Sequence, residues 1–212
     1  MNQYLMPTYA RQAVRFQRGE GVWLWDEQGK KYFDALSGLA VCGLGHAHPV
    51  ITQAICEQAK KLLHTSNIFH IPNQEKLAER LAEISGMENM FFANTGAEAN
   101  EAAIKLARMY GNNKGIKLPT VVVMEHSFHG RTLATLTATG NPNIQAGFAP
   151  LVQGFVRVPF NDIEAIKAIA AENKEIVAVL VEPIQGEGGI NIPDDDYLIK
   201  LRQICDDQQW LF

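Results

Sequence analysis

Between residues 90 and 181 the chain alternates short apolar runs with stretches of helical spacing, and that rhythm restricts its fold more than any single motif does. Met90–Ala93, Val121–Met124, a run around Val156 and Ile176–Val181 read as strands. Helices are expected between them, at Glu98–Tyr110, near Thr132 and at Asp162–Ala171. Nearly continuous apolar strands are buried on both sides, so the expected class is α/β, a mostly parallel sheet with helices on both faces. A further helix is expected from about Asp195 to Gln208, and Trp210-Leu211-Phe212 reads as the start of another buried strand. A terminus in mid-strand leaves ladder groups unpaired. The sequence therefore reads as truncated in a strand.

Ahead of the alternation, Gly21–Trp25 and Lys31–Phe33 flank Asp26-Glu27-Gln28-Gly29, the pattern of a β-hairpin and its turn. Pro49 suits the first turn of a helix whose stripe is Val50, Ile51, Ala54, Ile55, Gln58, Leu62 and Leu63. A second helix, from about Asn73 to Gly86, is expected to aim Leu77, Leu81 and Ile84 at a core. The expected division is an N-terminal segment with the hairpin, residues 1–65, and part of a larger domain, residues 66–212, with the boundary falling somewhere in 60–75.

Bulk properties narrow the function. At 212 residues, 47% of them hydrophobic, the chain can bury one substantial core. Its net charge is -4 and its Lys and Arg do not cluster, which argues against nucleic acid as a partner. Cys42, Cys56 and Cys205 are odd in number and lie far apart, which suggests neither a disulfide framework nor a zinc site and fits a reducing cytoplasm. Met1–Arg18 has no apolar leader core, and no stretch is apolar for long enough to span a bilayer, so a soluble cytoplasmic protein with no membrane partner is expected.

Three motifs sit where strands are expected to end. In Asn94-Thr95-Gly96-Ala97-Glu98-Ala99-Asn100 a strand gives way to a helix, and free N–H groups at such an end can hold a phosphate, with glycine admitting it closely. Thr95 and Glu98 equally fit a capping box, which needs no ligand. Glu125-His126-Ser127-Phe128-His129-Gly130-Arg131-Thr132 places an aromatic ring and an arginine at the carboxyl end of a strand, where ligands of open parallel sheets collect. They suit a flat anionic ligand, Phe128 on its face and the Arg131 fork on a carboxylate. A core Phe and a solvated Arg explain the same residues. His126 and His129 lack a third ligand, so no metal is expected.

In Val181-Glu182-Pro183-Ile184-Gln185-Gly186-Glu187-Gly188-Gly189, two carboxylates follow a strand, either in a functional loop or in a turn with solvated Glu. Its glycines fail the dinucleotide fingerprint, since the spacing from Gly186 and Gly188 reaches Asn191, and no P-loop is present. Gly38, Gly43, Gly45, His46, His48 and Pro49 make a Gly/His-rich loop that either approaches a ligand or is a tight connection, the structural reading being preferred. Trp23, Trp25, Tyr32 and Phe33 read as hairpin packing.

Taken in order, the run from Gly21 to Asp34, Gly45-His46-Ala47-His48-Pro49, Asn94–Asn100, Ser127–Thr132 and Val181–Gly189 closely resembles the class-III aminotransferases, over nearly the whole chain. Met6-Pro7-Thr8-Tyr9, Leu36–Val41 and Phe128–Arg131 look most like the acetylornithine branch of that class, with ornithine, succinylornithine and 4-aminobutyrate enzymes as alternatives.

The resemblance implies the type I fold of pyridoxal-phosphate-dependent transferases, here incomplete, with pyridoxal 5'-phosphate as cofactor. By the same resemblance Gly96 and Ala97 bind its phosphate, Phe128 stacks on its ring, and Arg131 and Glu187 meet the substrate, Arg131 at the α-carboxylate. Thr95, His129 and Glu182 would stand behind them in support. The implied reaction moves an amino group from N-acetylornithine to 2-oxoglutarate in arginine biosynthesis, in a homodimer. The family's Schiff-base lysine belongs beyond Phe212 and no lysine here takes its position, so no residue is assigned to catalysis and the 212 residues alone are expected to be inactive. A non-catalytic scaffold that kept the fold without the lysine is the alternative from a different functional class.

Overall fold

The computed structural model describes residues 4–212; residues 1–3, at the start of the Met1–Arg18 stretch, lie outside the described residues. The chain divides into two compact units, one ending at Ile84 and the other starting at Ser85.

The first unit begins with a three-stranded antiparallel sheet, β1 (Phe16–Glu20), β2 (Trp23–Asp26) and β3 (Lys31–Phe33), in that order. The β2–β3 hairpin is the expected one; β1 was not anticipated, because Phe16-Gln17-Arg18-Gly19-Glu20 has no apolar alternation. Asp26 builds the turn. Its Oδ1 accepts the Gln28 and Lys30 amides at 3.0 and 2.9 Å, and its Oδ2 accepts the Tyr32 hydroxyl at 2.8 Å. Burial pushes the Asp26 carboxyl up, but hydrogen bonds from Tyr32, Lys30 and Gln28 and the Lys30 charge outweigh it and hold the group below its ordinary value.

Next comes α1 (Ser37–Ala40), a single left-handed turn with φ between 51 and 63° at all four residues. Strain of that kind needs support, and Asp34 Oδ1 supplies it by accepting the Leu36 and Ser37 amides while Oδ2 pairs with His46 Nε2 at 2.7 Å. The Gly/His loop lies close against the first strands. Gly21 and His46 exchange two backbone hydrogen bonds, and a Cβ on Gly45 (φ +79°) would lie 2.7 Å from the Gly21 carbonyl oxygen.

Helices α2 (Pro49–Ala59) and α3 (Pro72–Ser85) complete this part of the chain, linked by a 3.3 Å hydrogen bond from Asn73 Nδ2 to Gln58 Oε1. Here the sequence expectation fails. Val50, Ile51, Ile55, Leu62 and Leu63 are exposed, as are Leu77 and Ile84, and only Leu81 of the predicted inward trio is half-buried. Helical spacing reports which side is apolar, not whether anything covers it.

The second unit holds the parallel sheet, ordered β5-β4-β6, with β4 (Thr120–Met124) in the middle, β5 (Phe155–Val158) and β6 (Ile176–Val179). Its helices are α4 (Gly96–Asn113), α5 (Leu133–Ala138), α6 (Pro142–Gln145), α7 (Ile163–Glu172) and α8 (Tyr197–Gln208). The pleat sends alternate residues of β4 to opposite faces. Val121 and Val123 pack with Ala107 of α4 on one face, and Val122 and Met124 with Ile166, Tyr197 and Leu201 of α7 and α8 on the other. Both faces are therefore covered by helices, as expected.

Leu211 continues the ladder beside β6, its amide donating to Val177 O and its carbonyl accepting from Val179 N, both at 2.9 Å. Met90–Ala93 is a correction: it is irregular chain rather than a strand, and Phe91 is 71% exposed. A strand is defined by a neighbour to pair with, and no described strand lies alongside this one.

Candidate functional site

After β4 the chain leads to β5 on one side, whereas after β6 it leads through α8 to Leu211 on the other. The carboxyl ends of β4 and β6 therefore flank a point where the connections part, which is where an open α/β sheet leaves a crevice. The loops 125–131 and 182–191 lie there, stitched together. Buried Gln185 donates from Nε2 to the Glu125 carbonyl at 2.7 Å, and a Cβ on Gly188 would strike the His126 carbonyl oxygen. Glu182 reaches across to the first loop, its Oε2 accepting the Phe128 amide at 3.0 Å, while Oε1 accepts the Gly186 amide at 3.4 Å.

The third motif is the first turn of α4. Thr95 is its N-cap, accepting the Glu98 amide at Oγ1 (3.1 Å), and the Glu98 carboxylate returns to the Asn94 amide at 2.7 Å. The capping reading is thus correct, with the return bond falling one residue earlier than in a standard box. It does not use up the helix end. The Gly96 and Ala97 amides have no hydrogen-bond partner among the described residues, and a Cβ on Gly96 would meet nothing within 4 Å. Two free donors at the positive end of an 18-residue helix, with no side chain on Gly96, fit a phosphate group.

Loop 128–130 rests on that turn. Gly130 (φ +133°) approaches so closely that a Cβ on it would lie 2.9 Å from Ala97 Cβ and 2.6 Å from Thr135 Oγ1. Asn100 Nδ2 donates to the His129 carbonyl at 2.8 Å, and the His129 amide donates to Thr139 Oγ1 at 2.9 Å. Glu101 accepts from the Thr132 hydroxyl and, at 3.4 Å, from the Thr135 amide.

Phe128 is half-buried in this loop, whereas Arg131 and Glu187 are exposed and take no ion pair among the described residues. His129 is 4% exposed, and its Nε2 has no hydrogen-bond partner among the described residues. Burial, and secondarily the charge of Arg157, lowers its pKa to about 4, so the ring is neutral at physiological pH. Sequence reasoning missed Asn100, Glu101, Thr139 and Gln185, whose bonds bridge distant stretches and follow no local pattern.

No group of His, Cys, Asp and Glu among the described residues is arranged to hold a metal, and no helix is long and apolar enough to cross a membrane. An apolar hollow of about 870 Å³ lies instead along the outer face of α4, among Phe91, Ala99, Leu106 and Met109.

This architecture, with free helix-end amides beside an aromatic loop, is that of pyridoxal-phosphate-dependent aminotransferases. The ornithine aminotransferase of Toxoplasma gondii superposes with a TM-score of 0.93 at 31% identity, covering 99% of this chain and 50% of that one. The N-acetylornithine aminotransferase of Stenotrophomonas maltophilia gives 0.80 at 36% identity, covering 96% and 50%.

The family model "Aminotransferase class-III" matches residues 5–212, and the chain belongs to that family. It is 64% identical over 208 residues to the acetylornithine aminotransferase of Nitrosomonas europaea, covering 98% of this chain and 53% of that protein. The chain spans about half the length of the curated relatives it matches.

Proposed function

We propose that the intact protein is a pyridoxal-phosphate-dependent aminotransferase that moves an amino group from N-acetylornithine, or a related ornithine derivative, to 2-oxoglutarate in arginine biosynthesis. The observation that carries the reading is the pair of free amides, Gly96 and Ala97, on a helix turn against which the Phe128 loop is fastened. Acetylornithine in particular is favoured by the 64% identity to a protein of that name. When bound, pyridoxal 5'-phosphate supplies the electron sink that carries nitrogen between the two substrates.

The residues of this chain bind and orient. Gly96 and Ala97 hold the phosphate, with Thr95 fixing the helix end behind them. Phe128, its backbone held by Glu182, would lie on the cofactor ring, with buried, neutral His129 supporting the loop. Arg131 takes the substrate carboxylate with its two-pronged fork, and Glu187 sets which amino donor is accepted. None of the lysines takes the position of the family's covalent lysine, so the 212 residues alone do not transaminate. The intact protein acts as a cytoplasmic homodimer, with residues 1–65 as an N-terminal segment and residues 66–212 as part of the cofactor domain.

The test is an amino-donor screen of the purified intact protein with 2-oxoglutarate as acceptor. Acetylornithine giving the highest kcat/KM supports the reading, and preference for 4-aminobutyrate or no turnover with any donor overturns it. Ornithine itself is the second reading, favoured by the TM-score of 0.93 to the ornithine enzyme.

A further inference from the structure

We infer that Asn100 is a positioning residue that sets the spacing between the phosphate-binding amides and the aromatic platform; the inference rests on the cofactor reading above. Gly96 and Asn100 are four residues apart on α4, so they lie on the same helix face one turn from each other. Asn100 then donates sideways from Nδ2 to the His129 carbonyl at 2.8 Å, across 29 residues of sequence.

The peptide groups beside Phe128 are pinned at three points, and the three differ in what they do. Glu182 takes the Phe128 amide and Thr139 takes the His129 amide, which ties the loop to the ends of β6 and α5. Among the described residues only Asn100 ties the Phe128–His129 peptides by a hydrogen bond to the helix whose first turn carries the free amides. Glu101, the next residue, acts farther along the loop, at Thr132 and Thr135. With both sides of the Phe128–His129 segment held, the ring keeps little freedom beyond its own side-chain rotations, so its distance from Gly96 and Ala97 is set through Asn100. The chemistry asks for asparagine. A carbonyl acceptor needs an N–H donor of this length, and a carboxylate in the same place would face the oxygen with like charge.

A ligand that uses both ends of the site should therefore feel the loss of this bond, and one that uses only the amides should not. The measurement is binding to the apo form of the intact protein, with two probes that form no covalent bond to it: pyridoxamine 5'-phosphate and inorganic phosphate. In Asn100→Ala the affinity for pyridoxamine 5'-phosphate is expected to fall about tenfold while that for inorganic phosphate stays within about twofold. The circular dichroism induced in the bound ring should weaken in parallel.

Asn100→Leu, which keeps about the size of the side chain and adds no charge one turn from the free amides, is expected to show the same selective loss and guards against an Ala variant that fails to fold. Equal losses for both probes would mean that Asn100 merely props up the helix, and no change for either would mean that the bond sets nothing. Either result overturns the inference. If the unsubstituted protein itself binds neither probe, the cofactor reading falls and the inference falls with it.

Discussion

The backbone amide of Phe128 donates to the carboxylate of Glu182, N to Oε2 3.0 Å, across 54 residues of sequence. One side chain from the loop after β6 thereby fixes the backbone of the loop after β4, and with it the direction of an aromatic ring. Removing the acceptor leaves a partly buried N–H unpaired, at a cost of about 1–3 kcal/mol. Glu182→Ala is expected to lower unfolding stability by that amount, read from the denaturant midpoint, and to weaken cofactor binding. Glu182→Gln keeps an oxygen for the amide and should lose less than half as much. Equal stability of the Ala variant and the parent would show that the bond is not maintained in solution.

Two glycines of the site make opposite predictions. Gly130 has φ +133°, and a Cβ there would sit 2.6 Å from Thr135 Oγ1 and 2.9 Å from Ala97 Cβ. Gly130→Ala therefore forces the loop off the α4 turn, with an expected loss of about 2 kcal/mol or more and a lower Tm. A Cβ at Gly96 meets nothing within 4 Å. Gly96→Ala should change stability by no more than about 0.5 kcal/mol. Its methyl group narrows the approach to the free amides, so inorganic phosphate should bind severalfold more weakly while the melting temperature holds.

Much of the second unit is legible in the sequence, because its strands are short runs of branched apolar residues that only a sheet covered on both faces buries. Val121–Val123 and Ile176–Val179 show this directly. Met90–Ala93 is apolar too, though without branched residues, but no described strand pairs with it, and a run of apolar residues cannot announce its partner. The exposed stripe of α2 fails for a related reason, since periodicity gives a face without giving what the face meets. At the candidate site the Thr95 cap was readable because a cap is a local signal. Asn100 was not. A side-chain bond to a carbonyl 29 residues away leaves no mark on spacing or composition, although Asn100 stood inside a motif that the sequence had already singled out.

Arg131 is exposed and holds no ion pair among the described residues, so its fork is available to a carboxylate. If it holds the substrate, Arg131→Lys keeps the charge but loses the planar pair of donors. Its kcat/KM for the amino donor in the intact protein should fall about tenfold or more, mainly through KM, while inorganic phosphate still binds the apo form as before. A Lys variant as active as the parent would remove Arg131 from the substrate site.

His129 gives the fold a dependence on pH that can be measured apart from activity. Its ring is 4% exposed, its Nε2 has no hydrogen-bond partner among the described residues, and burial, helped by the positive charge of Arg157, lowers its pKa from 6.5 to about 4. Below pH 6.5 the unfolded chain takes up a proton that the folded chain refuses until about pH 4, so unfolding gains and stability falls as the pH drops through that window. The shift corresponds to a loss on the order of 3 kcal/mol across the window, absent at neutral pH. Carboxylates titrate near its lower end, so the informative quantity is the difference between the parent and His129→Asn. The variant should be less stable than the parent at pH 7 yet lose less stability between pH 6.5 and 4. Parallel profiles would mean that the His129 ring reaches water or a partner in the folded protein and is not held neutral beneath the Phe128 loop.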